Sequence, residues 1–558
     1  MGEGDLAQTT QGLGSMPYVI VGLYLLMLLV FGIVGYLKST NSEEDYYLAG
    51  RGQGWLVSAL TIMATFFSSF ALLGAPGTVY KEGVIFALFS LNVPMAGAAV
   101  YFLGSRIRKI GRAKGYVTPA DMIAEYYDSP VGLRLLVALI GCLYAIPYVV
   151  MQIKAGGLLA DEMFPGAHSF EWGCVILAVI TMLYIMIGGM RSVAWTDVVQ
   201  GLLLMCGMLV AGVATVAALG GIGGFFESVS KLPAKSLSAP GTSGRWTVGF
   251  LFSICMFASL GSMVQPAQWM RFYSARSTKT LKRSSLIFAV VLTSCFLFGI
   301  MLVGLGGQVL YPLVDSTGQY FTNEAGTMVP NPEVGANVRD YDKILVVILK
   351  NHLPQLLPTI GTLVATIILV AIMAAAMSTA DSNLHAMSAV VTRDVYDRFI
   401  RPEASDKERT WVGRGVIAGG TILSVGLVLL SKSVEESAKK GEATDPLAMI
   451  VSLMILAIAF SSQLLPVTFD MLFIRKGSRA GAISGILIGL GIVALFSPLV
   501  TPQLGEGLQA GIGKMGKLLD KGAWGLIANT LVFVVVSNFT AKVTDEKREE
   551  MEQILGSG

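Results

Sequence analysis

The sequence predicts an all-α, polytopic membrane protein. Of its 558 residues, 54% are hydrophobic and 14% charged, against roughly 25% charged in ordinary soluble domains, and the mean hydropathy is +0.66. Thirteen apolar runs approach or exceed the roughly 20 residues that cross about 30 Å of hydrocarbon. Basic residues gather in alternate loops between those runs.

The runs lie near 17–37 (α1), 55–79 (α2), 84–105 (α3), 132–160 (α4), 173–190 (α5), 194–219 (α6), 246–269 (α7), 284–309 (α8), 356–392 (α9), 411–431 (α10), 446–473 (α11), 480–499 (α12) and 523–541 (α13). The start, Met1-Gly-Glu-Gly-Asp5, is acidic and lacks the basic opening and small-residue cleavage site of a signal peptide, so α1 is read as a retained helix. The 356–392 run is too long for one simple span and predicts an added outer segment. Basic clusters occur at Arg106, Arg108, Lys109, Arg112 and Lys114, at Arg271, Arg276, Lys279, Lys282 and Arg283, at Arg393, Arg398, Arg401 and Arg409, and at Arg475, Lys476 and Arg479. Each follows an odd-numbered span, whereas loops after even-numbered spans are short, acidic or Gly-Pro-rich, with Lys439-Lys440 a mild exception. Short cytoplasmic loops carry the Lys and Arg excess, so the N-terminus is expected outside and the C-terminus in the cytoplasm.

Net charge of +3 is too small to suggest a nucleic-acid partner; the expected partners are the lipid bilayer and a small-molecule solute, and nothing fixes the oligomeric state. Cys142, Cys174, Cys206, Cys255 and Cys295 lie in apolar stretches without metal or redox spacing and read as buried, inert residues. No nucleotide-binding loop is present, and neither enzymatic chemistry nor an organic cofactor is expected.

Two helices are interrupted. α2 carries Ala64-Thr-Phe-Phe-Ser-Ser-Phe70 and Gly74-Ala-Pro-Gly77, and α7 carries Gly261-Ser-Met-Val-Gln-Pro266. Breaks at corresponding places five spans apart point to inverted repeats with a site at the midplane, where freed carbonyls can hold a cation; simple proline kinks are the alternative. α9 carries Met377-Ser-Thr-Ala-Asp-Ser382, costly polar groups at membrane depth. Ser378, Asp381 and Ser382 share a helical face, either as cation ligands or as helix-packing contacts.

Asp45-Tyr-Tyr-Leu-Ala-Gly-Arg51, Gly74-Ala-Pro-Gly-Thr-Val-Tyr80, Gly188-Gly-Met-Arg-Ser-Val-Ala-Trp-Thr-Asp197, Arg271-Phe-Tyr-Ser-Ala-Arg276 and Met377-Ser-Thr-Ala-Asp-Ser382 together resemble the sodium/solute symporter family over about residues 17–500. The resemblance implies a five-plus-five inverted repeat of the leucine-transporter type with flanking helices, in a bacterial inner membrane, importing a small solute with sodium as the co-transported ion. It divides the chain into an outside start and added helix (1–45), a first repeat (46–219), an outside loop (220–245), a second repeat (246–473), two further helices (474–541) and a cytoplasmic tail (542–558), mixed in charge and helical or frayed.

Carried over by position, the resemblance implies a main sodium site of Ala64, Phe67 and Ala375 carbonyls with Ser378 and Thr379 hydroxyls. A second cation or proton site would match Asp197 with Ser378, Asp381 and Ser382; Asp381 adds a carboxylate to a hydroxyl pattern. Asp197, six residues past Arg191, sits roughly 9 Å from the inner edge, and Ser382, eleven before Arg393, roughly 16 Å. Asp197 could instead be satisfied locally at a helix start, or share a proton with Asp381, since neighbouring carboxylates raise each other's pKa.

The solute pocket is expected among α2, α3, α4, α7, α8 and α11. Asn92, Tyr144, Gln152, Gln265, Gln268 and Gln463 are candidate polar contacts, and Phe67, Phe70 and Trp269 candidate walls or gates. Lys154 either neutralises a carboxylate solute or snorkels outward; with the likeness of residues 46–160 to bacterial monocarboxylate- or pantothenate-type members, it tilts the expectation to a carboxylate-bearing solute over a sugar, amino acid or vitamin. Phe66 stands where some amino-acid-transporting members have aspartate, which argues against a proline-type site. His385 reads as a packed residue, and Asp470 as a partner of Arg475 or a gate. The alternatives to sodium symport are proton coupling on the same fold, or a channel or sensor on the same scaffold.

Overall fold

In the computed structural model, which describes residues 14–556 other than 41, 165, 325, 337, 439–449 and 498–499, each apolar run lies on a helix wherever it is described. Lys439-Lys440 fall outside the described residues. α1 is Met16–Leu37, α3 Val84–Lys114, α4 Gly132–Met163, α8 Thr278–Leu310, α9 Gly361–Ile400, α10 Asp406–Ser433, α11 Ile450–Ile474 and α13 Lys521–Phe539. The shorter Arg479–Leu495 is α12. In hydrocarbon every backbone group must be paired inside the protein, which a helix does within its own segment, and among the described residues there is no strand, only isolated bridges.

α2 and α7 are both broken, α2 within Ala64–Phe70 only, since Gly74–Gly77 runs on as helix. Trp55–Phe66 meets Phe70–Glu82 at 59°, and Val248–Gly261 meets Pro266–Ser274 at 45°. The last backbone bond of the first half of α2, Phe67 N–H to Met63 O at 2.8 Å, leaves the following carbonyls without helical donors. Both second halves are capped by side chains: Ser68 Oγ accepts Phe70 N–H at 3.2 Å, Gln152 Oε1 accepts Ser69 N–H at 3.1 Å, and Gln265 Oε1 accepts Ala267 N–H at 2.6 Å.

α5 and α6 form one helical rod, Ser169–Ala218, broken in direction at Gly189 (φ 54°, ψ −153°). A side chain there would be strained at this φ, and its Cβ would meet the Tyr46 ring at 2.7 Å. α1 packs against this junction, Gly32 facing Tyr184 and Gly35 facing Ser192; small residues are the usual means of close approach between membrane helices.

The expected outer segment of the 356–392 run is not found within it. Ile344–Leu356 is a separate helix, and the excess length of α9 falls at its other end, through Ile400. The tail forms the helix Asp545–Gly556 and docks on the basic loops: Lys114 pairs with Glu550, Arg475 with Glu552, and Lys109 Nζ donates to Leu555 O at 3.1 Å. Asp470 therefore does not pair with Arg475; its Oδ2 accepts Tyr127 OH at 2.7 Å and its Oδ1 accepts Lys476 N–H at 2.9 Å. The cysteine reading also needs correction, because Cys206 is exposed on its helix and Cys142 partly so, while the other three are buried.

Candidate functional site

The break in α2 faces the middle of α9. Ala64 O, freed by the break, accepts Ser378 Oγ at 3.3 Å and Thr379 Oγ1 at 3.1 Å, and Ser378 Oγ also lies 3.1 Å from Ala375 O. Ala64, Phe67, Ala375, Ser378 and Thr379 are all buried. The cluster is made of uncharged oxygens, the donors a hard cation takes.

One turn along α9 the chemistry changes. Asp381 Oδ2 accepts Tyr184 OH at 2.6 Å and its Oδ1 accepts Ser382 Oγ at 2.9 Å. Asp197 Oδ2 accepts the Thr61 hydroxyl and pairs with Arg271 Nη2 at 3.1 Å. The same Nη2 donates to Ser382 Oγ, and Arg271 Nε reaches Thr61 Oγ1 at 2.9 Å. Asp197, Asp381 and Ser382 are thus brought together, with a guanidinium at the centre of the group; the Ser378 hydroxyl turns instead to Ala64 and Ala375, and only its backbone carbonyl accepts Ser382 Oγ. Asp197 is held through its Oδ2 by α2 and α7, not by Trp195, Thr196 or the start of a helix. The two carboxylates share no hydrogen bond, since Asp197 Oδ1 has no partner and both Asp381 oxygens are engaged elsewhere. A shared proton between them is therefore not supported by the geometry.

Arg271 is the residue that sequence reasoning misplaced. Counted among loop cations, it is 1% exposed and lies inside the second half of α7. The signal was present: five residues beyond Pro266 at about 1.5 Å each puts Arg271 within roughly 8 Å of the break. Tyr184 was missed for a different reason, because the turn at Gly189 cuts the helical register linking it to Asp197.

Beside the α2 break lies a cavity walled by Thr65, Phe66, Phe67 and Phe70 of α2, Phe89 and Asn92 of α3, Tyr144 and Tyr148 of α4, Ser262, Gln265 and Gln268 of α7, Phe296 of α8, and Met454 and Ile458 of α11. All six spans expected around the pocket contribute. Tyr144 and Tyr148 stack with ring centres 5.0 Å apart. The space is about 20 Å³, room for a water and not for an organic solute. Phe89, Tyr148 and Ser262 had no distinguishing sequence signal.

Four expected pocket residues lie elsewhere. Gln152 caps the α2 break. Trp269 is fully buried, its Nε1 donating to Tyr273 OH at 2.7 Å. Gln463 ties α11 to α13, its carbonyl oxygen accepting Asn529 Nδ2 at 2.8 Å. Lys154 is buried, and its charge acts, with those of Lys81 and Asp340, on Asp342 of the loop helix before α9. It neither snorkels nor lines the cavity. Asp342, which accepts Ile450 N–H at 3.2 Å, is pushed by burial up to about 7. His385 is packed, its Nε2 3.0 Å from Tyr46 O.

Two broken spans five apart, an oxygen cluster at one break and a small cavity beside it are the features of a membrane transporter of leucine-transporter-like fold. The sodium:solute symporter family model matches residues 46–489, and the chain belongs to that family. It is 26% identical to the sodium/proline symporter of Salmonella typhimurium LT2 over 84% of this chain and 85% of that one. It is 25% identical to the sodium/proline symporter of Staphylococcus aureus RF122 over 94% and 93%. Against the sodium/pantothenate symporter of Escherichia coli K12 it is 26% identical over 53% of this chain and 61% of that one. In fold it is similar to a substrate-bound, outward-open Na⁺-coupled sialic acid symporter, with TM-score 0.73 and 19% identity over 95% of this chain and 99% of that one.

Proposed function

We propose that the chain imports a small organic solute by sodium-coupled symport, with one sodium bound by Ala64, Phe67 and Ala375 carbonyls and the Ser378 and Thr379 hydroxyls. The observation that carries this is the double duty of residues 64–67: Ala64 O joins the oxygen cluster while Thr65, Phe66 and Phe67 wall the cavity. Ordering this segment around a cation shapes the solute site, and by linkage each ligand raises the other's affinity equally. The hydroxyls that now donate to Ala64 O would turn their lone pairs to the ion. Alternating access then rocks the broken helices, and the membrane potential supplies about 2.3 kcal/mol per charge per 100 mV.

The cavity wall holds amides, hydroxyls and aromatic rings but no Lys, Arg, Asp or Glu. A solute recognised there is small, partly apolar and without a net charge that the protein must neutralise. Lys154, away from the cavity wall, gives no support for a carboxylate solute, and Phe66 in the wall still argues against a proline-type site. A second cation is best met at Asp381, since Asp197 already has Arg271. The termini keep the orientation that the basic loops indicate, N-terminus outside and C-terminus in the cytoplasm.

Uptake into sealed proteoliposomes tests the reading. With an inward sodium gradient, radiolabelled solute should accumulate above its outside concentration and leak away when sodium is equalised. Equilibration without accumulation would mean a channel, and accumulation driven by a proton gradient without sodium would mean proton coupling.

A further inference from the structure

A second cavity, of about 420 Å³, opens at the end of the molecule where the basic loops gather. It lies between the end of α1, the α5–α6 junction and the start of α10, and its wall includes Tyr36, Tyr46, Lys407, Thr410, Trp411 and Arg414. At several hundred Å³ it is of ligand size, unlike the cavity at the helix breaks.

The chemistry of the wall is that of an anion site. No acidic side chain lines it, and the nearby carboxylates are taken by other cations. Glu43 pairs with Arg393 at 3.0 Å and Arg409 at 3.2 Å, Asp45 with Arg191, and Asp397 with Arg409 at 2.7 Å. Arg414 is held in place, its Nε donating to Met186 O at 2.7 Å and its guanidinium lying 4.9 Å over the Trp411 ring. Tyr46 is 7% exposed, and its phenol lies beside Arg414 without a well-formed hydrogen bond. Burial pushes that phenol's pKa up, so it keeps its proton and stays a donor. The wall includes exposed Tyr36 and Trp411, the aromatic surface found where a protein meets the membrane–water boundary.

We propose that this pocket binds the phosphate headgroup of an anionic phospholipid, with Lys407 and Arg414 meeting the phosphate, Tyr46 and Thr410 donating to it, and the acyl chains lying along α1 and α10. Free phosphate shares the headgroup chemistry; the exposed aromatic surface favours the lipid. Basic pockets between membrane helices are a recurring headgroup site. A lipid seated there would bridge α1 and α10 across the Ile187–Gly188 wall.

The test is native mass spectrometry of the purified full chain offered phosphatidylglycerol, phosphatidylcholine or inorganic phosphate. The wild type should retain phosphatidylglycerol in preference to phosphatidylcholine. Each cation contributes on the order of fivefold near an anionic lipid, so K407E with R414Q should cut that retention about thirtyfold. K407E alone, at an exposed position, should cut it about fivefold or more with unchanged thermal unfolding, which covers the case of a misfolded double variant. R112E, on the same basic end but outside the pocket, should leave retention unchanged. Equal losses in R112E and K407E would reduce the effect to general surface charge, and displacement of the lipid by inorganic phosphate would make a soluble anion the ligand; either result overturns the proposal.

Discussion

Two polar clusters lie one helical turn apart on α9, and they are built on opposite principles. Where α9 meets the α2 break, Ser378 and Thr379 turn to the Ala64 carbonyl, giving neutral oxygens with no fixed positive charge among them. Where α9 meets α6 and α7, Asp197 already holds the Arg271 guanidinium at 3.1 Å, and Asp381 is engaged only by hydroxyls. The first cluster can gain a cation without displacing anything but its own hydrogen bonds. The second carries its cation covalently, so any added ion must compete with Arg271 or settle on Asp381.

The largest expected effect is on that second cluster. Arg271→Met strands Asp197 as an unpaired buried charge, and breaking a buried pair costs about 3–5 kcal/mol; thermal unfolding in detergent should show the loss, and Arg271→Met with Asp197→Asn should recover part of it. A double variant no more stable than the single one would mean that the pair is not the energetic unit described. Next, Ser378→Ala and Thr379→Ala should each raise the sodium concentration for half-maximal uptake on the order of tenfold, the equivalent of about 1.4 kcal/mol of ion binding, at little cost to unfolding temperature. Unchanged sodium dependence in both removes the proposed main site. Asp381→Asn should alter the charge-to-solute ratio or the sodium cooperativity, read by paired current and flux; wild-type values there would leave a single ion per cycle. The smallest contrast is in the solute pocket, where Asn92→Ala should raise KM severalfold and Lys154→Gln should leave it within about twofold, side-chain hydrogen bonds being worth about 0.5–1.5 kcal/mol. A raised KM for the Lys154 variant alone would return that lysine to the solute.

The membrane spans were readable from hydropathy and the α7 break from Pro266, whereas the α2 break falls at residues 67–69, at the Ser68-Ser69 pair and ahead of Pro76. The grouping of Ala64, Ala375, Ser378 and Thr379 came from the resemblance, motif on motif, whereas helical spacing alone put Ser378 with Asp381 and Ser382. What escaped were facts of register across interfaces. Arg271 lies in a run of cations that suits a loop, and only the half-helix after Pro266 carries it inward. Lys154 is polar on an apolar helix, which marks burial or function without saying which group its charge acts on, and that group, Asp342, lies nearly 190 positions away in sequence. Gln152 and Gln463 were legible as buried amides but not as a cap and a strut, because an amide serves either purpose equally well.

Gly189 has a mechanical consequence. One residue with positive φ joins two long rods, and its missing side chain is what lets Tyr46 sit against the joint. α6 carries Asp197 and α5 carries Tyr184, so the two rods hold opposite ends of the charged cluster. Asp197 lies eight residues and Tyr184 five residues from the joint, lever arms of about 12 and 8 Å at 1.5 Å per residue, so a rotation of about 5° there would move either group by up to roughly 1 Å, enough to make or break a hydrogen bond.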